Sequence, residues 1–245
     1  MRRTCLAAWS AALAAGLAAY AASGPAAAQA PVEVSAQRAQ FMRQHFASVL
    51  AAHDAVIRGD LDEARRHARA IADQPAPPAL PPAAAPYFQS MQVSAARAAA
   101  GTALADIAAS TAAMLGMCGD CHRAVGTMPA LAAPARPAVG GQVGHMLDHK
   151  AAVDLMVEGL TVPSTTAWNE GAAALRGAPL RRGDLPPDRG LTRDIVALEA
   201  RLHELAERGE AAGDVRARVF VYSEVLQSCS PCHALHPNVW GPDKR

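Results

Sequence analysis

Apolar side chains recur along this chain at three- and four-residue intervals, the period of a helix that buries one face. The clearest stripes are Leu104, Ile107, Thr111, Leu115 and Cys118 in the first half, and Val215, Val219, Tyr222, Leu226 and Cys229 in the second. No segment sustains the period-two alternation of β-branched residues that a half-buried strand needs, so sheet content near zero is expected. The punctuation places the helices. Asp60 and Ser164, following a Gly and a Pro, read as N-caps. The proline-rich run 75–86 breaks any helix, and Gly101-Thr102 reads as a stop followed by a new cap. The pattern predicts helices over about 35–58 and 60–73, a third ending near Ala100 and a fourth that carries the first stripe. It predicts four more over about 142–159, 164–176, 192–208 and 214–232. The stretch 126–141 is rich in Pro, Ala and Gly, and reads as a linker.

The two sets of helices repeat one another. Met42-Arg43-Gln44-His45 aligns with Met146-Leu147-Asp148-His149 at a shift of 104 residues, and the same shift brings Asp60 onto Ser164, Ala68 onto Ala172 and Ile71 onto Leu175. At the cysteines the shift has grown to 111, which extra loop residues accommodate. An all-α protein of two tandem four-helix bundles follows, one over 31–125 and one over 142–245.

Composition alters this picture at the N-terminus. Met1-Arg2-Arg3, an Ala- and Leu-rich run from Leu6 to Ala22, and Ala28-Gln29-Ala30 before Pro31 have the layout of a cleaved signal peptide over 1–30. The expected location is the periplasm, and no later segment is apolar for long enough to span a bilayer. Cleavage removes Arg2 and Arg3 from 23 basic residues and none of the 22 acidic ones, so the formal charge moves from +1 to −1. Such a balance gives no reason to expect nucleic acid or an anionic membrane as partner. Aromatic residues make up only 4% of the chain, too few for a thick core, and a flat apolar cofactor in each half would supply the missing burial.

Cys5 leaves with the signal peptide, and the four remaining cysteines all lie in two pentapeptides, Cys118-Gly119-Asp120-Cys121-His122 and Cys229-Ser230-Pro231-Cys232-His233. C-x-x-C-H is the signature of covalent haem attachment. The thiols of Cys118, Cys121, Cys229 and Cys232 would add to the vinyl groups of two haems, with His122 and His233 as proximal iron ligands. Paired zinc knuckles, a thioredoxin-like dithiol and structural disulfides are the competing readings; none explains a histidine after each pair. Both signatures close a predicted helix.

A four-helix unit ending in C-x-x-C-H resembles the cytochrome c-prime (class II cytochrome c) family, and the resemblance covers nearly the whole mature chain. It implies a haem inside each helical bundle, with the first helix of the unit over its distal side. The family's chains usually carry one haem and often pair as homodimers; here duplication replaces that pairing. On this reading the distal positions fall to His45 and His149, with Met42 and Met146, which share their helix face at i, i+3, as alternatives and His145 as a third option for the second haem. A blander role is also open, with the methionines packed in the core and the histidines bonded to propionates or carbonyls. His53, His67 and His203 read as surface histidines, and Arg65, Arg66 and Arg69 as a solvated helix face. His236 and Trp240 sit in a tail that could pack over a haem edge.

Three functions compete. The first is a periplasmic di-haem carrier that passes single electrons between redox partner proteins and turns over no substrate of its own. The second is a binder of nitric oxide or carbon monoxide with open distal sites, and the third a di-haem peroxidase. No Gly-rich phosphate loop and no H-E-x-x-H is present to suggest other catalysis.

Overall fold

Helices form where the caps and breakers allow. The computed structural model describes residues 36–77, 80–131, 139–178, 180 and 189–235. Its helices are α1 (Ala36–Ile57), α2 (Leu61–Ala72), α3 (Ala85–Ala100), α4 (Leu104–Val125), α5 (Gly141–Thr161), α6 (Thr165–Gly177), α7 (Arg189–Glu210) and α8 (Val215–Leu235). A short 3-10 turn, Pro82–Ala84, leads into α3. Among the described residues there is no strand, and the fold is all-α. The predicted signal peptide, His236 and Trp240 lie outside the described residues, as does 132–138 of the predicted linker.

Both predicted N-caps close their helices. The Asp60 carboxylate accepts the Glu63 N–H at 3.1 Å, and the Ser164 hydroxyl oxygen accepts the Ala167 N–H, also at 3.1 Å. Each bond satisfies one of the donors that a helix start leaves unpaired. The expectation at Gly101-Thr102 is corrected by one residue: Ala103, not Thr102, is the cap position of α4. Alanine has no acceptor to offer, so the Asp106 carboxylate folds back onto the Ala103 N–H at 3.3 Å. At the other end Gly126 takes the left-handed conformation, φ +66°, and Thr127 N–H donates to His122 O at 3.0 Å. Helix α8 runs on to Leu235 although Pro231 lies within it and gives up one N–H.

In each set, consecutive helices are neighbours, and α4 returns to α1 as α8 returns to α5. The sets also meet: α4 packs on α8 and on α5, and α1 packs on α8. All eight helices belong to one compact unit. One core runs through it, with Val49, Ile71 and Leu115 joined to Met156, Trp168, Tyr222 and Leu226. Of the predicted stripes, Ile107, Thr111, Leu115, Tyr222 and Leu226 are buried, while Leu104, Val215 and Val219 are partly covered. Burying one large side chain of this kind stabilises the fold by about 1.5 to 3 kcal/mol.

Glycine sets the closest approaches. A Cβ on Gly116 of α4 would lie 2.5 Å from Cγ2 of Val219 on α8, and one on Gly119 would lie 2.1 Å from Leu160 O on α5. No described helix is long and apolar enough to cross a membrane.

Candidate functional site

Both cysteine–histidine signatures occupy the C-terminal turns of α4 and α8. All four cysteines are free thiols. Burial pushes Cys118 and Cys229 up to about 12 and Cys232 up to about 11, and it raises Cys121 as well. Thiols held protonated in this way are poor nucleophiles, which weighs against a redox dithiol in the folded chain.

His122 is held from the other half of the chain. Its Nδ1 lies 2.7 Å from Thr161 O at the end of α5. A carbonyl only accepts, so Nδ1 carries the proton and Nε2 keeps its lone pair, the tautomer of an imidazole prepared to bind a metal. Burial lowers the affinity of His122 for a second proton, although the bond to Thr161 works the other way. The neighbouring Gly119, whose missing Cβ lets α4 settle against Leu160, makes this approach possible.

At the second signature a pocket opens between α5 and α8. Cys229, Cys232 and His233 form one part of its wall, and Met146, His149 and Glu199 another. Leu175, Leu198 and Leu202 make most of the remainder apolar. Ile57, at the end of α1, also lines it, and Ile57 stands 104 residues before Thr161, the residue that holds His122. Each signature therefore faces the C-terminal end of the opposite half's first helix.

Near the first signature His45 and Met91 come together. His45 is buried, with Nδ1 2.5 Å from Gln74 Oε1 and Nε2 3.2 Å from Met91 Sδ. Met91 Sδ is in turn 4.0 Å from Cys118 Sγ, so the predicted distal histidine and the first attachment cysteine touch the same sulfur. Burial lowers the pKa of His45, with Gln74 opposing the shift. Phe41 stacks on His45 with ring centres 5.8 Å apart, and Phe88 approaches it at 5.9 Å. Met42 lies one turn before His45, partly buried.

The corresponding positions of the second half carry different chemistry. A shift of 104 takes Phe41 to His145 and His45 to His149, and a shift of 111 takes Phe88 to Glu199. His145 and His149 pack ring to ring at 4.3 Å, and their Nε2 atoms lie 3.2 and 3.3 Å from Glu199 Oε1. His203 brings a third Nε2 to the same oxygen at 3.2 Å. His145, His149 and Glu199 form a group able to hold a metal ion. Burial pushes the Glu199 carboxyl up, but the facing His145 and His149 rings override it and hold it down, to about 2.

Two readings of histidines as surface residues are corrected. His53 is 1% exposed: its Nε2 lies 2.8 Å from the Tyr222 hydroxyl on α8, and its Nδ1 2.9 Å from the Asp54 carboxylate. His203 is only 31% exposed because its ring turns in toward Glu199. His67 lies beside Glu63, 24% exposed and 3.4 Å away. Arg66 and Arg69 are exposed; Arg66 pairs with Glu63, and Arg65 Nε donates to Ala99 O at 3.3 Å.

Sequence reasoning missed Met91, Gln74, Glu199 and Thr161. Only Glu199 carried a usable signal, since Glu199 and His203 share the i, i+4 spacing of His145 and His149. No family model, curated protein or solved structure matches this chain, so functional inference rests on its own residues.

Proposed function

We propose that this chain is an exported di-haem c-type cytochrome that carries single electrons between periplasmic redox partners. The observation that carries the reading is the pairing of each C-x-x-C-H with a Met-x-x-His helix of its own half. In the second half, Cys229, Cys232 and His233 border one cavity with Met146 and His149. In the first, Cys118 reaches His45 through Met91. At the second signature the residues suit a flat apolar group: two thiols to tether it, an imidazole beside them and aliphatic walls around it. Two four-helix bundles, each closing on its signature and resembling cytochrome c-prime units, agree with the neighbour pattern of the helices.

When bound, haem supplies an iron that gains and loses one electron. The chain's part is to fix the axial donors and keep water away. His122 presents Nε2 because Thr161 O holds Nδ1. His45, buried and oriented by Gln74, is the proposed distal donor of the first site. At the second, His149 is turned toward Glu199, so Met146 is the residue that would hold the group together with His233, with which it lines one pocket. A thioether raises the reduction potential relative to an imidazole, so the second centre would be the better electron acceptor.

Mass spectrometry and a pyridine haemochrome assay of the exported protein should give two covalent haems per chain. Magnetic circular dichroism should show two low-spin irons, one of them with a methionine ligand. Absence of covalent haem would overturn the assignment. Stoichiometric carbon monoxide binding at both reduced irons would replace the carrier by a gas binder, and peroxide turnover with a reduced donor would replace it by a peroxidase.

A further inference from the structure

The second half holds a cluster that electron transfer does not require. Four side chains from two helices converge: His145 and His149 from one turn of α5, Glu199 and His203 from one turn of α7. His145 and Glu199 are 5% and 8% exposed, so neither is a solvated surface group. All three Nε2 atoms lie within 3.3 Å of a single oxygen, Glu199 Oε1, and none of them meets it with the direction of a hydrogen bond. One carboxylate oxygen has two lone pairs and cannot serve three donors well. Buried polar atoms left in this state are costly.

A cation among His145, His149 and Glu199, whose ligand atoms all lie within 4.8 Å of one another, would satisfy those three at once. Zinc binds imidazole nitrogen and carboxylate oxygen at about 2.0 to 2.2 Å, which places the ligands of a tetrahedral site about 3.3 to 3.5 Å apart. The separations of 3.2 and 3.3 Å from Glu199 Oε1 to the His145 and His149 nitrogens match two edges of that tetrahedron. Two neutral imidazoles and one carboxylate suit a late first-row divalent ion better than calcium or magnesium, which prefer oxygen ligands. His203, at the solvent edge, offers the entry path.

We propose that His145, His149 and Glu199 bind one zinc-class divalent ion, clamping α5 to α7, with a fourth position left open and His203 beside Glu199 as an outer partner. The first half lacks the site because Phe41 and Phe88 stand where His145 and Glu199 stand. The site uses no atom of either signature and is independent of the haem assignment. With Nε2 of His149 on the ion, that side chain is committed to α7 and not to a neighbouring iron.

The test is equilibrium dialysis of the purified full-length protein against zinc chloride after chelator treatment, with zinc and iron measured together by mass spectrometry. One zinc per chain is expected, accompanied by a rise in melting temperature. Glu199→Gln and His145→Phe should each weaken zinc binding by at least about tenfold, a loss that even an outer-shell change at a metal site produces. His203→Ala, at the half-open edge of the cluster, supplies a variant that leaves the core intact and should also weaken it. Zinc that fails to bind, or that binds equally well to all three variants, would overturn the proposal. A low-spin iron signal abolished by His149→Ala but indifferent to zinc would place His149 on the haem and overturn it too.

Discussion

The Tyr222 hydroxyl and the His53 ring form a buried pair contributed by opposite halves, and removing one partner leaves the other stranded. Tyr222→Phe keeps the shape of the core but removes the hydroxyl that His53 Nε2 meets at 2.8 Å. An unsatisfied buried polar group costs about 1 to 3 kcal/mol, and urea denaturation of the variant should show a loss of that size. Asp54 extends the same chain. Burial pushes its carboxyl up, but the hydrogen bond and charge of His53, with Lys150 and Arg58, hold it below its ordinary 3.8. A depressed carboxyl stabilises the fold fully above that ordinary value and loses its contribution as pH falls toward the lower folded value. Stability measured from pH 5 downward should therefore fall less steeply in Asp54→Asn than in the parent chain. At this scale the sequence was a partial guide. Cysteine spacing marked Cys118, Cys121, Cys229 and Cys232 directly, and repetition marked His45 and His149. His53 misled because charged neighbours such as Asp54 and Arg58 suggest a solvated face, whereas its burial is decided by α8, far away in the chain.

Helix boundaries were the most legible feature, because they depend on local chemistry: Asp60, Ser164, Gly101 and the prolines act on residues within one turn. What a helix packs against is not local. Nothing near Gly119 says that its missing Cβ is needed by Leu160 of α5, whose carbonyl oxygen would stand 2.1 Å from it. Gly119→Ala must push α4 and α5 apart and should cost about 1 to 3 kcal/mol, the usual result of overpacking. The equivalent residue of the second signature, Ser230, faces Gly59 at an ordinary 3.4 Å from where a Cβ would sit. Ser230→Ala should change stability by no more than about 0.5 kcal/mol. Thermal melts of the two variants side by side test the difference, and equal effects would refute it. The same limit explains why the contrast between Phe41–His45–Phe88 and His145–His149–Glu199 was hidden: Phe88 and Glu199 join their clusters from the third helix of each set, which periodicity orients but does not pair.

At the scale of the molecule, the duplication is not two independent domains side by side. Contacts of α4 with α5 and α8, and of α1 with α8, run through a shared core. Separate expression of 31–131 and 139–245 should give products that melt less cooperatively and at lower temperature than the intact chain, and mixing them should recover part of the loss. Two halves that each melt like the parent would refute the shared core. Sequence repetition revealed that there are two sets of helices, but the crossing between them uses residues outside the repeat: Tyr222 aligns with Thr111, and His53 with Val157.

The bond from His122 to Thr161 also orders events in time. Thr161 follows His122 by 39 residues, so a growing chain presents its first signature well before the carbonyl that will hold its imidazole exists. For His233 the sequence is reversed: Ile57 and the rest of α1 precede it by most of the chain. The first site must wait for its support, whereas the second meets a surface already made. If the signatures take up haem as proposed, maturation of the two would be staggered by the chain's own direction, with the first left open for longer than the second.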